Sequence, residues 1–148
     1  MFFFPISDDN ESSSRPYVCY FIIAICSFIF LWQNTLPTNL NQEAIYNFGV
    51  VPAAVLGDQP SYLNPYLTIF TSMFMHGGWM HLLGNMVFLW IFGDNIEDSM
   101  GHKKFLAFYL ICGVFAAFLQ AIINPDSTVP MIGASGAIAG ILGAYLIL

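Results

Sequence analysis

Four long apolar runs dominate the chain, and its polar positions gather between them. Residues 17–32 read YVCYFIIAICSFIFLW; residues 77–93, 105–123 and 131–148 make up the other three runs. A helix needs about 20 apolar residues to cross the hydrocarbon core of a bilayer, with a range of roughly 17–25. The first run is slightly short, but Tyr17, Tyr20 and Trp32 suit interfacial anchors at its ends. The third is broken only by Gly113 and Gln120. The pattern predicts four membrane-spanning helices at these positions.

Between the first two runs, residues 33–75 have another texture. Polar residues and prolines surround two half-apolar patches, IYNFGVVPAAVL and YLTIFTSMFM, each too short to span. Such patches suit short helices lying at the bilayer surface. Residues 1–16 end in SDDNESSSRP and are expected to form a flexible tail, leaving 17–148 as one membrane domain. The leader carries Asp8, Asp9 and Glu11 against Arg15, and no small-x-small cleavage site follows the first run. That favours a retained span over a signal peptide.

Composition sharpens the class. Of 148 residues, 57% are hydrophobic and 8% charged, against about a quarter charged in a soluble domain. A water-facing surface cannot be covered with so few charges. This excludes an ordinary soluble globule, a disordered chain and a basic nucleic-acid binder, and leaves an all-α polytopic membrane protein. The formal net charge of −6 comes from scattered acids and points to no partner. Cys19, Cys26 and Cys112 all lie in apolar runs and read as small hydrophobes. Arg15 precedes the first run, and Lys103 and Lys104 lie between the second and third; residues 33–75 and 124–130 have neither Lys nor Arg. The positive-inside rule then puts the N-terminus and a 99–104 loop in the cytoplasm, with 33–75 and the start of the fourth span outside.

The polar groups inside these runs cluster at one membrane level. His76, His81 and Asn85 stand in MHGGWMHLLGNM, where His81 and Asn85, four apart, share a helix face. The fourth run opens with GASGAIAG around Ser135. Alone, Ser135 reads as a packing serine bonded to its own backbone. Gly133 and Gly136 flank it, however, and remove bulk so that a carbonyl could approach. A helix N-terminus there would offer unpaired N–H groups to an oxyanion. The string is not the G-x-S-x-G elbow of soluble hydrolases, because Ala137 fills the last place. Gly136 and Gly140 form a G-x-x-x-G pair that calls for a closely packed helix elsewhere in the protein. His76 and His81 are five apart with no glutamate between them, so the H-E-x-x-H zinc pattern is absent and no metal site is expected. For His76 a structural hydrogen bond between loop and helix is the competing reading. For His81 and Asn85 the favoured reading is side-chain donors aimed at a reacting carbonyl oxygen. His102 reads as a solvated loop residue on the far side of the membrane. Asp94, Glu97 and Asp98 read as partners of amides at that surface, with a proton or cation path as the weaker alternative.

Taken together, these strings resemble the rhomboid family of intramembrane serine proteases. The resemblance runs from about residue 48 to residue 148. It rests on FGVVP, the H-x₄-H-x₃-N array of His76, His81 and Asn85, IFGDNIEDSMGHKKF, and GASG around Ser135. It implies a six-helix rhomboid-like bundle and hydrolysis of peptide bonds in or near transmembrane segments, without a cofactor. Its implied partners are transmembrane protein substrates and the lipid bilayer. Ser135 matches the nucleophile; His81 and Asn85 match the side chains that, with the Ser135 N–H, hold the oxyanion. His76 matches a mainly structural histidine, and Glu97 with Gly101 a structural E-x-x-x-G element. The implied setting is a multi-pass protein of the plasma (inner) membrane with a cytoplasmic N-terminus.

Two departures stand out. The family's general base is a histidine on the sixth helix, next to small residues that pack on the fourth, and no histidine follows His102. The 148 residues are therefore expected to be an N-terminal fragment holding four helices, inactive by itself because a serine without a base is a poor nucleophile. Where many relatives have a Trp-Arg pair, this chain has Pro65, Tyr66 and Leu67. The alternative functions are a non-catalytic rhomboid-like protein that binds membrane clients, and a small channel or transporter with polar residues in its pore. Ser135, His81 and Asn85 argue against the first. The gathering of polar groups at one end argues against the second.

Overall fold

The computed structural model describes residues 14–57 and 59–147, which form helices joined by short turns and one isolated β-bridge. Most of the expected 1–16 tail, up to residue 13, lies outside the described residues. The helices are α1 (Tyr17–Thr35), α2 (Thr38–Phe48), α3 (Pro52–Val55), α4 (Pro65–Thr71), α5 (Trp79–Met100), α6 (His102–Ile123) and α7 (Ser135–Tyr145). A 3-10 turn, Ser72–Phe74, follows α4. Among the described residues, α1 and α6 are long and apolar enough to cross a membrane. The 22 residues of α5 rise about 33 Å, but they carry His81, Asn85, Asp94, Asn95, Glu97 and Asp98.

The helix limits differ from the apolar runs in ways that backbone chemistry explains. α1 continues past residue 32 and takes in the buried Gln33. α5 runs on through the acids to Met100, so the expected 99–104 loop does not exist; only Gly101, at φ +81°, separates α5 from α6. His102 is thus the first residue of α6 rather than a loop residue. The patch at 45–56 is not one helix. Pro52 lacks an N–H and disfavours the helical conformation at the residue before it, and Val51 is extended at φ −102°, ψ 111°. The fourth helix starts at Ser135, not at 131, because backbone partners outside the helix hold Met131 and Gly133, and Ala134, already helical at φ −73°, ψ −8°, serves as its N-cap. Met131 and Val50 exchange two backbone hydrogen bonds, 2.9 and 2.8 Å, and the Gly133 N–H donates to the Ser72 carbonyl at 2.9 Å.

The core lies where α1, α5, α6 and α7 meet. Cys19, Ile22, Cys26 and Phe30 recur every three or four residues and put one face of α1 into it. They meet Leu82 and Leu89 of α5. Outside the core, Phe28, Phe115, Leu119 and Ile122 are exposed, which water would penalise and lipid would not. A smaller cluster of Val50, Val55 and Ile69 packs on Val114, Ala117 and Phe118 of α6. It fastens the 50–71 region to the same end of the bundle as the start of α7.

α7 comes close to α6 through its small residues. A Cβ on Gly136 would fall 2.5 Å from the Ala116 Cβ, and one on Gly140 would strike the Cys112 Sγ, with the Cys112 Cβ 2.7 Å away. The partner of the G-x-x-x-G pair is therefore α6, within these residues.

At the opposite end, Glu97 is 0% exposed. Its carboxylate accepts the Val18 N–H at 2.9 Å and the Cys19 N–H at 2.8 Å, two first-turn donors of α1 without an intrahelical acceptor. It also meets His102 Nδ1. The buried carboxyl group is thus partnered on three sides, as a buried polar group must be. It binds the start of α1, the end of α5 and the start of α6 together.

The close approach of α6 and α7 yields a stability comparison. At Gly113 an added Cβ would meet the end of the Met73 side chain, which borders a cavity and can swing away. At Gly140 it would meet the short, stiff Cys112. Gly140→Ala is expected to cost about 1–3 kcal/mol, and Gly113→Ala less, read as thermal unfolding in detergent. Equal losses would contradict the assignment of the α6–α7 seam.

Candidate active site

Three chain segments converge at the end of the bundle opposite Glu97. α5 supplies His81 and Asn85 one turn apart, the turn before it supplies His76, and the 131–134 segment leads into Ser135. Gly133 makes the junction. Its φ of +123° lies where L side chains rarely go, and a Cβ there would sit 2.5 Å from His81 Nε2 and 3.7 Å from Asn85 Nδ2. Only glycine admits both the turn and the close approach. The residue two before the serine is thereby pressed against the two side chains read from sequence as donors.

The start of α7 adds backbone donors. The first helical bond of α7 runs from the Ile138 N–H to the Ala134 carbonyl at 3.0 Å. The N–H groups of Ser135, Gly136 and Ala137 therefore have no intrahelical acceptor. Ser135 is exposed, and among the described residues its hydroxyl makes no hydrogen bond. It borders a cavity of about 500 Å³ whose walls include Gly113, Ala116, Gly136, Ser72 and Gln120. The small wall residues leave room for a peptide segment or water against the hydroxyl.

The donor side is buried and under-satisfied. Asn85 is 8% exposed, and its Nδ2 has no partner among the described residues. An amide donor left unpaired costs free energy in a folded chain unless a ligand or water uses it. His81 Nδ1 accepts the Gly77 N–H at 3.4 Å, leaving Nε2 as the ring atom nearest Gly133. His76 is 1% exposed, its ring packed edge-on against His81 with centroids 5.1 Å apart. Neither of its ring nitrogens has a partner of good geometry among the described residues. Its backbone is what is bonded. Gln33 Oε1 accepts the His76 N–H at 3.2 Å, and Gln33 Nε2 donates to the His76 carbonyl at 3.1 Å.

The structure thus brings His76, His81, Asn85, Gly133, Ser135 and Gly136 to one end. It sends His102 to the other, paired with Glu97. Gln33 is the residue sequence reading missed. A glutamine just beyond an apolar run looks like an ordinary interfacial polar residue, and nothing local marks it as buried. Gln120 and Ser72 were likewise silent. Among the described residues no group of His, Cys, Asp and Glu could hold a metal ion.

Burial, and secondarily the nearby His81, push the His76 imidazole down to about 4. An unfolded histidine takes up a proton near pH 6.5, so on acidification the unfolded chain is protonated first. The stability His76 contributes is complete above pH 6.5 and falls as pH drops toward 4. Thermal unfolding in detergent at pH 7 and pH 5 should show a loss that is smaller in His76→Gln. An identical pH dependence in that variant would contradict a buried neutral His76.

Comparison with known proteins gives a consistent result. A family model described as the rhomboid domain matches residues 64–148. The chain is 28% identical over 134 residues to rhomboid protease GluP of Bacillus subtilis, covering 90% of this chain and 25% of that protein. It is 33% identical over 126 residues to the bovine mitochondrial presenilin-associated rhomboid-like protein, covering 83% of this chain and 30% of that one. It is 41% identical over 78 residues to rhomboid-like protease 5 of Toxoplasma gondii, covering half of this chain and 9% of that protein. The chain therefore spans less than a third of each of these relatives.

Proposed function

The chain belongs to the rhomboid family, whose members are integral membrane proteins, and from that premise we propose that Ser135 is the nucleophile of an intramembrane serine endopeptidase. The observation that carries the reading is Gly133. Its left-handed backbone sets the approach to Ser135 against His81 Nε2 and Asn85 Nδ2, two donors beside a helix N-terminus. The Ser135 hydroxyl attacks a peptide carbonyl, and charge developing on its oxygen meets the Ser135 N–H, His81 and Asn85. The general base comes from outside these 148 residues, so the segment alone does not turn over. Substrates are transmembrane proteins cleaved in or near their spans. The cavity beside Ser135, walled by small residues, supports entry of such a segment. The unpaired Asn85 Nδ2 favours this reading over a client-binding protein that does no chemistry, since a passive surface gains nothing from a buried amide without a partner.

In the full-length protein, Ser135→Ala should abolish cleavage of a transmembrane substrate in proteoliposomes. His81→Ala and Asn85→Ala should lower kcat and largely spare KM. Each should cost less than the roughly 10²–10³ lost with one oxyanion donor in a soluble protease, because the other donors remain. His102→Ala, at the Glu97 end, should lose stability but keep turnover when folded. Full activity in Ser135→Ala would overturn the site.

The membrane orientation we propose follows from the cations. Arg15, Lys103 and Lys104 share the end of the bundle where Glu97 holds α1, and the positive-inside rule makes that end cytoplasmic. A plasma-membrane location with a cytoplasmic N-terminus is the accompanying proposal. Single cysteines at position 103 should react with a membrane-impermeant maleimide only after permeabilisation, and those at 128 without it. The reverse pattern would invert the topology.

A further inference from the structure

We infer that Gln33 is a positioning residue that sets the tautomer of His81 by holding the peptide between His76 and Gly77. Gln33 sits near the outer end of α1, 1% exposed. Its amide orientation is dictated by its neighbours. The His76 N–H can only donate, so it must meet Oε1; the His76 carbonyl can only accept, so it must meet Nε2. Nε2 also reaches Asn41 Oδ1 at 3.4 Å, tying α2 into the same knot.

The His76 carbonyl and the Gly77 N–H belong to one planar peptide unit and point in opposite directions. Holding the carbonyl toward Gln33 therefore aims the Gly77 N–H away from it, where it donates to His81 Nδ1 at 3.4 Å. A backbone N–H cannot accept, so Nδ1 must offer its lone pair. In a neutral imidazole the proton then resides on Nε2, the atom that faces Gly133. The ring presents an N–H, rather than a lone pair, to the place where an oxyanion would form. Were this peptide to flip, the His76 carbonyl would face His81 Nδ1, draw the proton to that nitrogen and turn a lone pair toward the oxyanion. The glycines at 77 and 78 give the unconstrained backbone freedom for such a flip, and Gln33 removes it. The catalytic consequence rests on the proposed role of His81 as an oxyanion donor; the tautomer itself does not.

The two claims separate in one experiment on full-length protein in detergent micelles, with ¹⁵N-labelled histidine and His81 assigned by its loss in His81→Gln. Spectra are taken in the Ser135→Ala background, so that no turnover is needed, and kinetics in the active background. His81 should show a protonated Nε2 and an unprotonated Nδ1. Gln33→Leu should give a mixed tautomer and lower kcat about 10-fold, with KM changed less than about twofold. Gln33→Glu keeps the acceptor for the His76 N–H but loses the donor to the carbonyl, so it should behave like Gln33→Leu; it also carries the comparison if the leucine variant fails to fold. A protonated Nδ1 in the unmutated Gln33 protein, or an unchanged His81 tautomer in both Gln33 variants whatever their activity, would overturn the inference. If the tautomer responds to Gln33 but kcat does not, the positioning role is wrong. If Ser135→Ala retains full activity, the proposed function fails while the tautomer result stands.

Discussion

Residues 131–133 are held out of the helix, and the rest of the site depends on that constraint. Met131 is paired to Val50, and the Gly133 N–H is bound to the Ser72 carbonyl. The first helical turn is therefore postponed to Ser135. A helix that began earlier would bury the serine in mid-helix, with its N–H consumed by an intrahelical bond. Because it begins at Ser135, the N–H groups of 135–137 stay open and the hydroxyl borders the cavity. The residues that enforce this, Val50 and Ser72, belong to the region between α1 and α5. That explains why a stretch with no spanning helix is packed firmly on α6.

The two ends of α1 follow one physical rule with different residues. A polar side chain buried in a bundle that faces lipid must find all its partners inside the protein. Glu97 does so by accepting first-turn N–H groups of α1 and meeting His102. Gln33 does so by matching both polar groups of the His76 backbone. One anchors the bundle at the basic end, the other fixes the loop entering α5 at the serine end. Between them α1 turns Ile22, Cys26 and Phe30 into the core. Among the described residues Asn85 Nδ2, the His76 ring nitrogens and the Tyr109 hydroxyl are exceptions to the rule; the first two lie at the serine end and Tyr109 lies in the core.

Much of this was legible in residues alone, because lipid is a severe solvent. A chain with 8% charge and four apolar runs has few folds open to it, and 3.6-residue periodicity puts His81 and Asn85 on one helix face. Gly133 and Gly136 mark Ser135, because their absent side chains are a sequence-level signal of close approach. Helix ends were less legible. Hydropathy sees Asp94, Asn95, Glu97 and Asp98 as the end of a span, whereas their backbones keep the α-helical pattern to Met100. It sees Met131 to Ala134 as the start of one, whereas distant backbone partners of Met131 and Gly133 delay the helix to Ser135.

What sequence determined, then, was which residues must leave water and which polar ones could not do so without a partner. That is a property of each side chain's transfer energy, and it is local. Only the tertiary structure decided who the partners are. Gln33 finds the His76 peptide 43 residues away, and Glu97 finds α1 amides 79 and 78 residues away. The G-x-x-x-G pair finds Ala116 and Cys112 of α6. Hydrogen bonds are directional and short, so their pairing is fixed by where helices cross in space, and no periodicity along the chain carries that information.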